Sequence, residues 1–168
     1  MPVGPLEPSF AEYLALVLPE SLGLSVTVAT RPLSVDSAYD PVRRQWNALS
    51  ILARLDECEE ARAHSCVLGL TAHDLFIPIF TFVFGLARLG ARGAVISLHR
   101  LRSEIYGLPP DPERVLLRLE KEAVHELGHT QGLRHCPDYS CVMHFSNSVE
   151  EVDLKTAAFC PACRALRG

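Results

Sequence analysis

The feature that most constrains this chain is residues 125–136, which read His-Glu-Leu-Gly-His-Thr-Gln-Gly-Leu-Arg-His-Cys. His125 and His129 stand four residues apart, so on a helix their imidazoles leave one face about 6 Å apart along the axis. That spacing suits a single Zn²⁺, with Glu126 beside them to take a proton from a metal-bound water. Continued as a helix, the chain would carry His135 about 15 Å along the axis from His125. Two nitrogens on one zinc can be only about 4 Å apart, given Zn–N bonds of roughly 2.0–2.1 Å. The chain is therefore predicted to turn sharply between His129 and His135, with Gly132 taking the left-handed conformation that stops a helix. Three neutral histidines leave a fourth position open, which is the pattern of a catalytic zinc and not a structural one.

The five fixed residues of this motif would arise by chance on the order of once in a hundred thousand chains of this length. With Met143 downstream, the pattern is the metzincin signature. Cys136 follows the third histidine directly, and Cys141-Val142-Met143 and Cys160-Pro161-Ala162-Cys163 come later. That combination resembles the archaemetzincins, a cysteine-rich branch of the metzincin metallopeptidases. The resemblance is densest over 125–163, extends to the apolar stretch 67–86, and touches 1–60 only in general shape. It implies an α/β (α+β) fold of the metzincin-like zincin type. Such a fold has a mixed, mainly parallel twisted sheet with packed helices, an active-site helix and a small Cys-rich C-terminal lobe. The resemblance also implies that Met143 is the Met-turn residue, an apolar floor beneath the metal and not a ligand. By the same token the stretch 77–85 is the strand that edges the cleft and pairs with an extended substrate, although by residues alone it is equally a buried strand.

Cys136-x₄-Cys141 and Cys160-x₂-Cys163 are two ligand pairs of the kind that closes a tetrahedral structural zinc. The need is physical. From Leu133 onward the chain is rich in Cys, His, Pro, Ser and Asn, and a bound metal supplies folding energy that so little apolar mass cannot. Two disulfides are one alternative. A redox Cys-Pro-Ala-Cys is another, and it would want a thioredoxin-like βαβ setting that the pattern lacks. Cys58 and Cys66 have no such partners and read as small buried hydrophobes. His144 reads as a solvated loop histidine, and His64, His73 and His99 carry no spacing signal.

With 168 residues, 48% of them hydrophobic, the chain is expected to form one domain, 1–168, with a real core. Its expected parts are an upper subdomain, 1–132, and a lower Cys-rich one, 133–168. A net charge of −4 points to no nucleic acid and no anionic membrane as partner. The first twenty residues carry Glu7 and Glu12 and no Lys or Arg, unlike a signal peptide. The longest apolar run, Leu75 to Ala87, is interrupted by Pro78, Thr81 and Gly85 and cannot span a bilayer. The expectation is a cytoplasmic monomer, and in a reducing cytosol six cysteines are better explained by metal than by disulfides.

Periodicity predicts a helix over Ser9–Leu18 and a strand over Leu24–Thr30. Asp40-Pro41 is read as the cap and first turn of a long helix to about Ala63, with Val42, Trp46, Leu49 and Ala53 as its core stripe. Strands are expected over 66–71, 77–85 and 93–98, giving a mixed sheet with helices packed on it. Asp111-Pro112 opens the active-site helix, whose Val115, Leu119, Ala123 and Leu127 face the sheet. A terminal helix over 151–166 carries Cys160 and Cys163.

Together these readings describe a zinc-dependent peptidase acting on a peptide or protein substrate. Two Zn²⁺ are expected per chain: His125, His129 and His135 hold the catalytic one, and Cys136, Cys141, Cys160 and Cys163 the structural one. Glu126 is the general base. A zincin with a downstream Glu as third ligand is disfavoured by His135. The competitor outside enzymes is a zinc-stabilised binding module or pseudo-peptidase, against which the presence of Glu126 argues.

Overall fold

Helix α1 (Pro8–Leu22) opens the regular structure of the computed structural model, which describes residues 1–167. It carries the expected helix on past Pro19 for one more turn, because Leu22 extends the buried stripe of Leu14 and Leu18. Gly23, left-handed at φ 67°, then caps it by donating its N–H to the Pro19 carbonyl. The strand predicted over 24–30 is instead an exposed, irregular segment. Its alternating valines meet no partner strand, and alternation without a ladder does not make a strand.

The second correction concerns Asp40. It ends strand β1 (Tyr39–Asp40), and its carboxylate accepts hydrogen bonds from the N–H groups of Val42 and Arg43 to make a tight turn. The chain returns as β2 (Gln45–Asn47) before any helix starts. Asp-Pro serves such a side-chain turn as readily as a helix cap. The cap falls on Asn47, whose side chain accepts from the Leu49 N–H and starts α2 (Ala48–Glu57); the chain then breaks at Cys58 before α3 (Glu59–Ala63). The true stripe is Ala48, Ile51, Leu52 and Leu55, while Val42 is 92% exposed. Trp46 lies on β2, stacked on His73 with ring centroids 3.8 Å apart.

Strand β3 (Val67–Thr71) falls within its expected span. The single strand expected over 77–85 is a hairpin and a crossing. Strands β4 (Leu75–Ile77) and β5 (Phe80–Val83) fold back on Pro78-Ile79, since proline favours a turn and cannot donate to a ladder. After the buried Phe84 the chain passes into a second sheet as β6 (Gly85–Ala87), followed by β7 (Gly93–Ser97). The first sheet has the order β1-β2-β4-β5 and the second β3-β7-β6. Both are mixed, as predicted. The balance differs from a mainly parallel sheet, for β2–β4 and β3–β7 are parallel and the other three pairings antiparallel.

Helix α4 (Pro112–Thr130) begins as the sequence predicts, with the Asp111 side chain accepting from the Arg114 N–H and Pro112 in the first turn. Val115, Leu119, Ala123 and Leu127 are buried in one core with Ile96 of β7 and Leu14 and Leu18 of α1. Its end is a Schellman turn: Gly132, at φ 87°, donates to the His129 carbonyl and Leu133 to that of Gly128. The terminal helix expected over 151–166 is two short ones, α5 (Val149–Leu154) and α6 (Pro161–Leu166). Cys160-Pro161 restarts the helix, with the Cys160 sulfur accepting from the Cys163 N–H.

Residues beyond Gly132 do not form a core of their own. Val142, Met143, Val149, Val152 and Phe159 join the α4 core. The bidentate pair of Arg118 with Asp153, at 2.7 and 2.6 Å, fastens the segment to the helix. Among described residues no helix is long and apolar enough to cross a membrane.

Gly132→Ala is expected to cost about 1–2 kcal/mol, the penalty of a left-handed non-glycine residue. A Cβ there meets nothing within 4 Å, so the whole cost is backbone. Urea unfolding that gave the variant wild-type stability would show that the turn does not need its glycine.

Candidate metal centres and the cleft

His125 and His129 leave α4 on one side, and the Gly132 turn brings His135 back to them. The His125 and His135 ring centroids are 5.3 Å apart, and those of His129 and His135 4.9 Å. One nitrogen of each ring lies within 4.8 Å of the others, the sharp reversal the spacing predicted. Backbone carbonyls fix the tautomers. His125 Nδ1–H donates to the Val142 carbonyl and His129 Nδ1–H to that of Leu133, each at 2.7 Å. A carbonyl only accepts, so both Nε2 atoms carry lone pairs, and these face each other at 3.1 Å. Neither can donate to the other, and a cation between them satisfies both. A tetrahedral Zn–N set places its nitrogens about 3.3 Å apart, so the donor set fits zinc.

Burial holds all three imidazoles below the usual histidine range, His125 most strongly, and so keeps them neutral and able to ligate. His125 is buried, while His135 is exposed at the cleft and packs against Phe145, centroids 5.0 Å apart. Glu126, only 5% exposed, is pushed well above the normal carboxyl range by burial first and then by the nearby charge of Glu122, with Lys155 opposing. Met143 is fully buried against α4 at Gly128, where a Cβ would come within 2.5 Å of the Met143 sulfur. The second free position of the His-Glu-x-x-His motif is thus a packing contact.

The four cysteines Cys136, Cys141, Cys160 and Cys163 form the other convergence, their sulfurs within 4.8 Å of one another. The Cys136 and Cys160 sulfurs are 3.8 Å apart, the edge of a ZnS₄ tetrahedron with bonds of about 2.3 Å and far longer than a disulfide. All six cysteines are free thiols. The Cys163 N–H, above all, lowers the Cys160 thiol to about 7, whereas burial raises Cys136 and Cys163. Cys58 and Cys66 lie apart from this cluster and are half-buried, less enclosed than expected. His144 is also half-buried, with Nδ1 donating to the Cys136 carbonyl and its ring against Tyr139. It belongs to neither cluster.

Sequence reasoning missed three neighbours of the histidines. Lys155 reaches up from beyond α5 into the space beneath α4, where its Nζ lies 2.8 Å from Glu122 Oε1, both side chains almost fully buried. The contact is a close ion pair that is not aligned as a hydrogen bond, and Glu122 Oε1 has no hydrogen-bond partner. The third is Gly85 on β6, whose Cα faces the Glu126 side chain. Of these only Glu122 left a trace in the sequence, as a carboxylate one turn before Glu126. A cleft of about 660 Å³ runs over the histidines, lined also by Phe80, Phe82, Leu86, Phe145 and Asn147.

A mixed α/β fold with such a cleft over three convergent histidines and a glutamate is that of a zinc metallopeptidase. The chain matches peptidase family M54 over residues 14–167 and belongs to that family. It is 46% identical over 127 residues to an archaemetzincin of Thermococcus kodakarensis, which covers 76% of this chain and 68% of that one. To the archaemetzincin of Methanocaldococcus jannaschii it is 40% identical over 162 residues, 96% of this chain and 87% of the other. Among solved structures, an archaemetzincin from Archaeoglobus fulgidus, complexed with malonate, superimposes with a TM-score of 0.84 at 37% identity, covering 98% and 96% of the two chains. A zinc-dependent peptidase from Methanocorpusculum labreanum superimposes with a TM-score of 0.89 at 29% identity, covering 99% and 97%.

Lys155→Met is expected to destabilise the fold by about 3–5 kcal/mol, because it strands the buried Glu122 carboxylate. Glu122→Leu in the same chain should recover most of that loss. Urea unfolding in which the double variant is no more stable than the single one would mean that Lys155 acts through something other than this pair.

Proposed function

We infer that His125, His129 and His135 hold a catalytic zinc, that Glu126 is the general base, and that Cys136, Cys141, Cys160 and Cys163 hold a second, structural zinc. The observation that carries the first site is the pair of Nε2 lone pairs opposed at 3.1 Å. When bound there, zinc supplies a Lewis acid that polarises a carbonyl and acidifies water. The protein groups do the rest. The Val142 and Leu133 carbonyls hold the ligand imidazoles in one tautomer and one orientation. Glu126 takes a proton from the attacking water on its carboxylate and delivers it to the leaving amine nitrogen. The cleft, lined in part by phenylalanines, leaves room for an extended peptide along β5.

Met143 is the apolar support beneath the three histidines. The chain is one metallopeptidase domain, 1–168, in which 1–132 forms the upper part and 133–168 the lower, stapled by the cysteines. Both clusters are completed within one chain, which supports a monomer, and cysteines grouped for a metal and not joined in disulfides support the cytoplasm as its compartment.

Metal analysis is expected to find two zinc ions per chain. Glu126→Gln should keep both and lower peptide hydrolysis by roughly 10²–10⁴-fold. His129→Ala should lose one zinc and the activity together. Wild-type hydrolysis by the Glu126→Gln protein would sink the base assignment.

A companion measurement addresses the cysteines. Cys160→Ala should lower the melting temperature in zinc far more than Cys58→Ala, whose side chain lies outside the cluster. Equal shifts for the two would remove the structural site.

A further inference from the structure

No hydrogen bond orients the Glu126 side chain. Burial and the charges of Glu122 and Lys155, without any hydrogen bond, make up its surroundings. Its place must come from packing, and the wall it packs against is Gly85. A Cβ built on Gly85 would lie 2.7 Å from both Cγ and Oε1 of Glu126 and 2.9 Å from Cδ, closer than real carbon contacts come.

The backbone at Gly85 does not itself require glycine. Its φ is not among the positive ones, so any L-residue could adopt the conformation. Its pairing does not require glycine either, since Gly85 opposes Ile96 in a regular antiparallel ladder and Ala87 opposes Ala94 two residues on. What a side chain lacks there is room. The ladder to β7 fixes one side of the gap, and the buried α4 stripe on the same core fixes the other. Neither element can retreat cheaply, because interiors packed to this density transmit strain instead of absorbing it. An added methyl group therefore displaces the Glu126 side chain.

Two other strand glycines make room for α2 outside the cleft. Gly69 faces Leu55, and Gly93 faces the Asp56 carboxylate, to which its N–H donates. Gly85 differs in that the chain it makes room for is the carboxylate beside the three histidines, and both residues line the cleft. We propose that Gly85 is a positioning residue for catalysis: the missing side chain on β6 is the slot that holds the Glu126 carboxylate at its working place. This rests on Glu126 being the base.

The test is a coupling experiment on the full chain, using Gly85→Ala with Gly93→Ala as a crowding control. Gly85→Ala should keep wild-type zinc content and KM and lose about 10²-fold in kcat, the cost of misplacing a reacting group by an ångström. Gly93→Ala should lower the melting temperature without lowering kcat in the folded protein. In a Glu126→Gln background, adding Gly85→Ala should cost no further activity, because the group it misplaces has already lost its function. A crystal structure of Gly85→Ala should place the Glu126 carboxylate away from β6.

A second readout needs neither activity nor a stable single variant. Glu126→Asp shortens the side chain by one methylene, so Gly85→Ala should lower the melting temperature much less in that background than in the wild type. The proposal is overturned by equal melting shifts in the two backgrounds, by unchanged kcat in Gly85→Ala, or by an activity loss that adds in full to that of Glu126→Gln. Wild-type activity in Glu126→Gln alone would instead overturn the base assignment, while the melting comparison still reads the Gly85–Glu126 contact.

Discussion

Two backbone carbonyls, those of Leu133 and Val142, hold this site together. Each accepts the Nδ1 proton of a helix histidine, and each belongs to chain that comes after the helix has ended. A histidine on a helix offers only a side-chain position. The carbonyl decides which nitrogen is free and where it points. The His125 contact also requires residue 142 to return beneath α4, so the irregular segment after Gly132 is ordered by the same hydrogen bond that orders the imidazole. Removing that segment would leave the helix with its histidines and without their tautomers.

Buried charge secures the return. Arg118 and Glu122 lie one turn apart on α4, both nearly inaccessible, and both meet opposite charges from the segment after Gly132: Asp153 and Lys155. Such pairs add little net stability over well-packed apolar residues, because desolvation offsets most of the attraction. They do penalise every arrangement in which one partner is left alone. A segment with few apolar residues can be held in a single register this way, where hydrophobic contact alone would tolerate a slip. Lys121 adds a third tie by donating to the carbonyls of Val152 and Asp153 at the end of α5.

What could be read from the sequence divides along the range of the forces. The turn after His129, the Asp111 cap and the buried face of α4 were legible, because each is set within a few residues. The two cysteine pairs were legible as pairs, and their four sulfurs do converge. The errors lie where local signals have two outcomes and distant partners choose between them. Asp40-Pro41 suits a side-chain turn as well as a helix start, and pairing of β2 with β1 and β4 made it a turn. Leu24–Thr30 alternates like a strand but found no edge. The apolar run 77–85 read as one strand, and only the assembled sheets show that it folds at Pro78 and changes sheet at Phe84. Lys155 and Gly85 were invisible because they meet α4 from far along the chain, with no spacing to betray them.

His135 and Cys136 are consecutive residues that face different clusters. A single peptide unit is therefore the whole tether between the two centres, and it leaves only one ψ and one φ to vary between their α-carbons. Fixing the backbone at Cys136 therefore narrows the positions open to the third imidazole, so order in the cysteine cluster lowers the entropy lost in bringing the three histidines together.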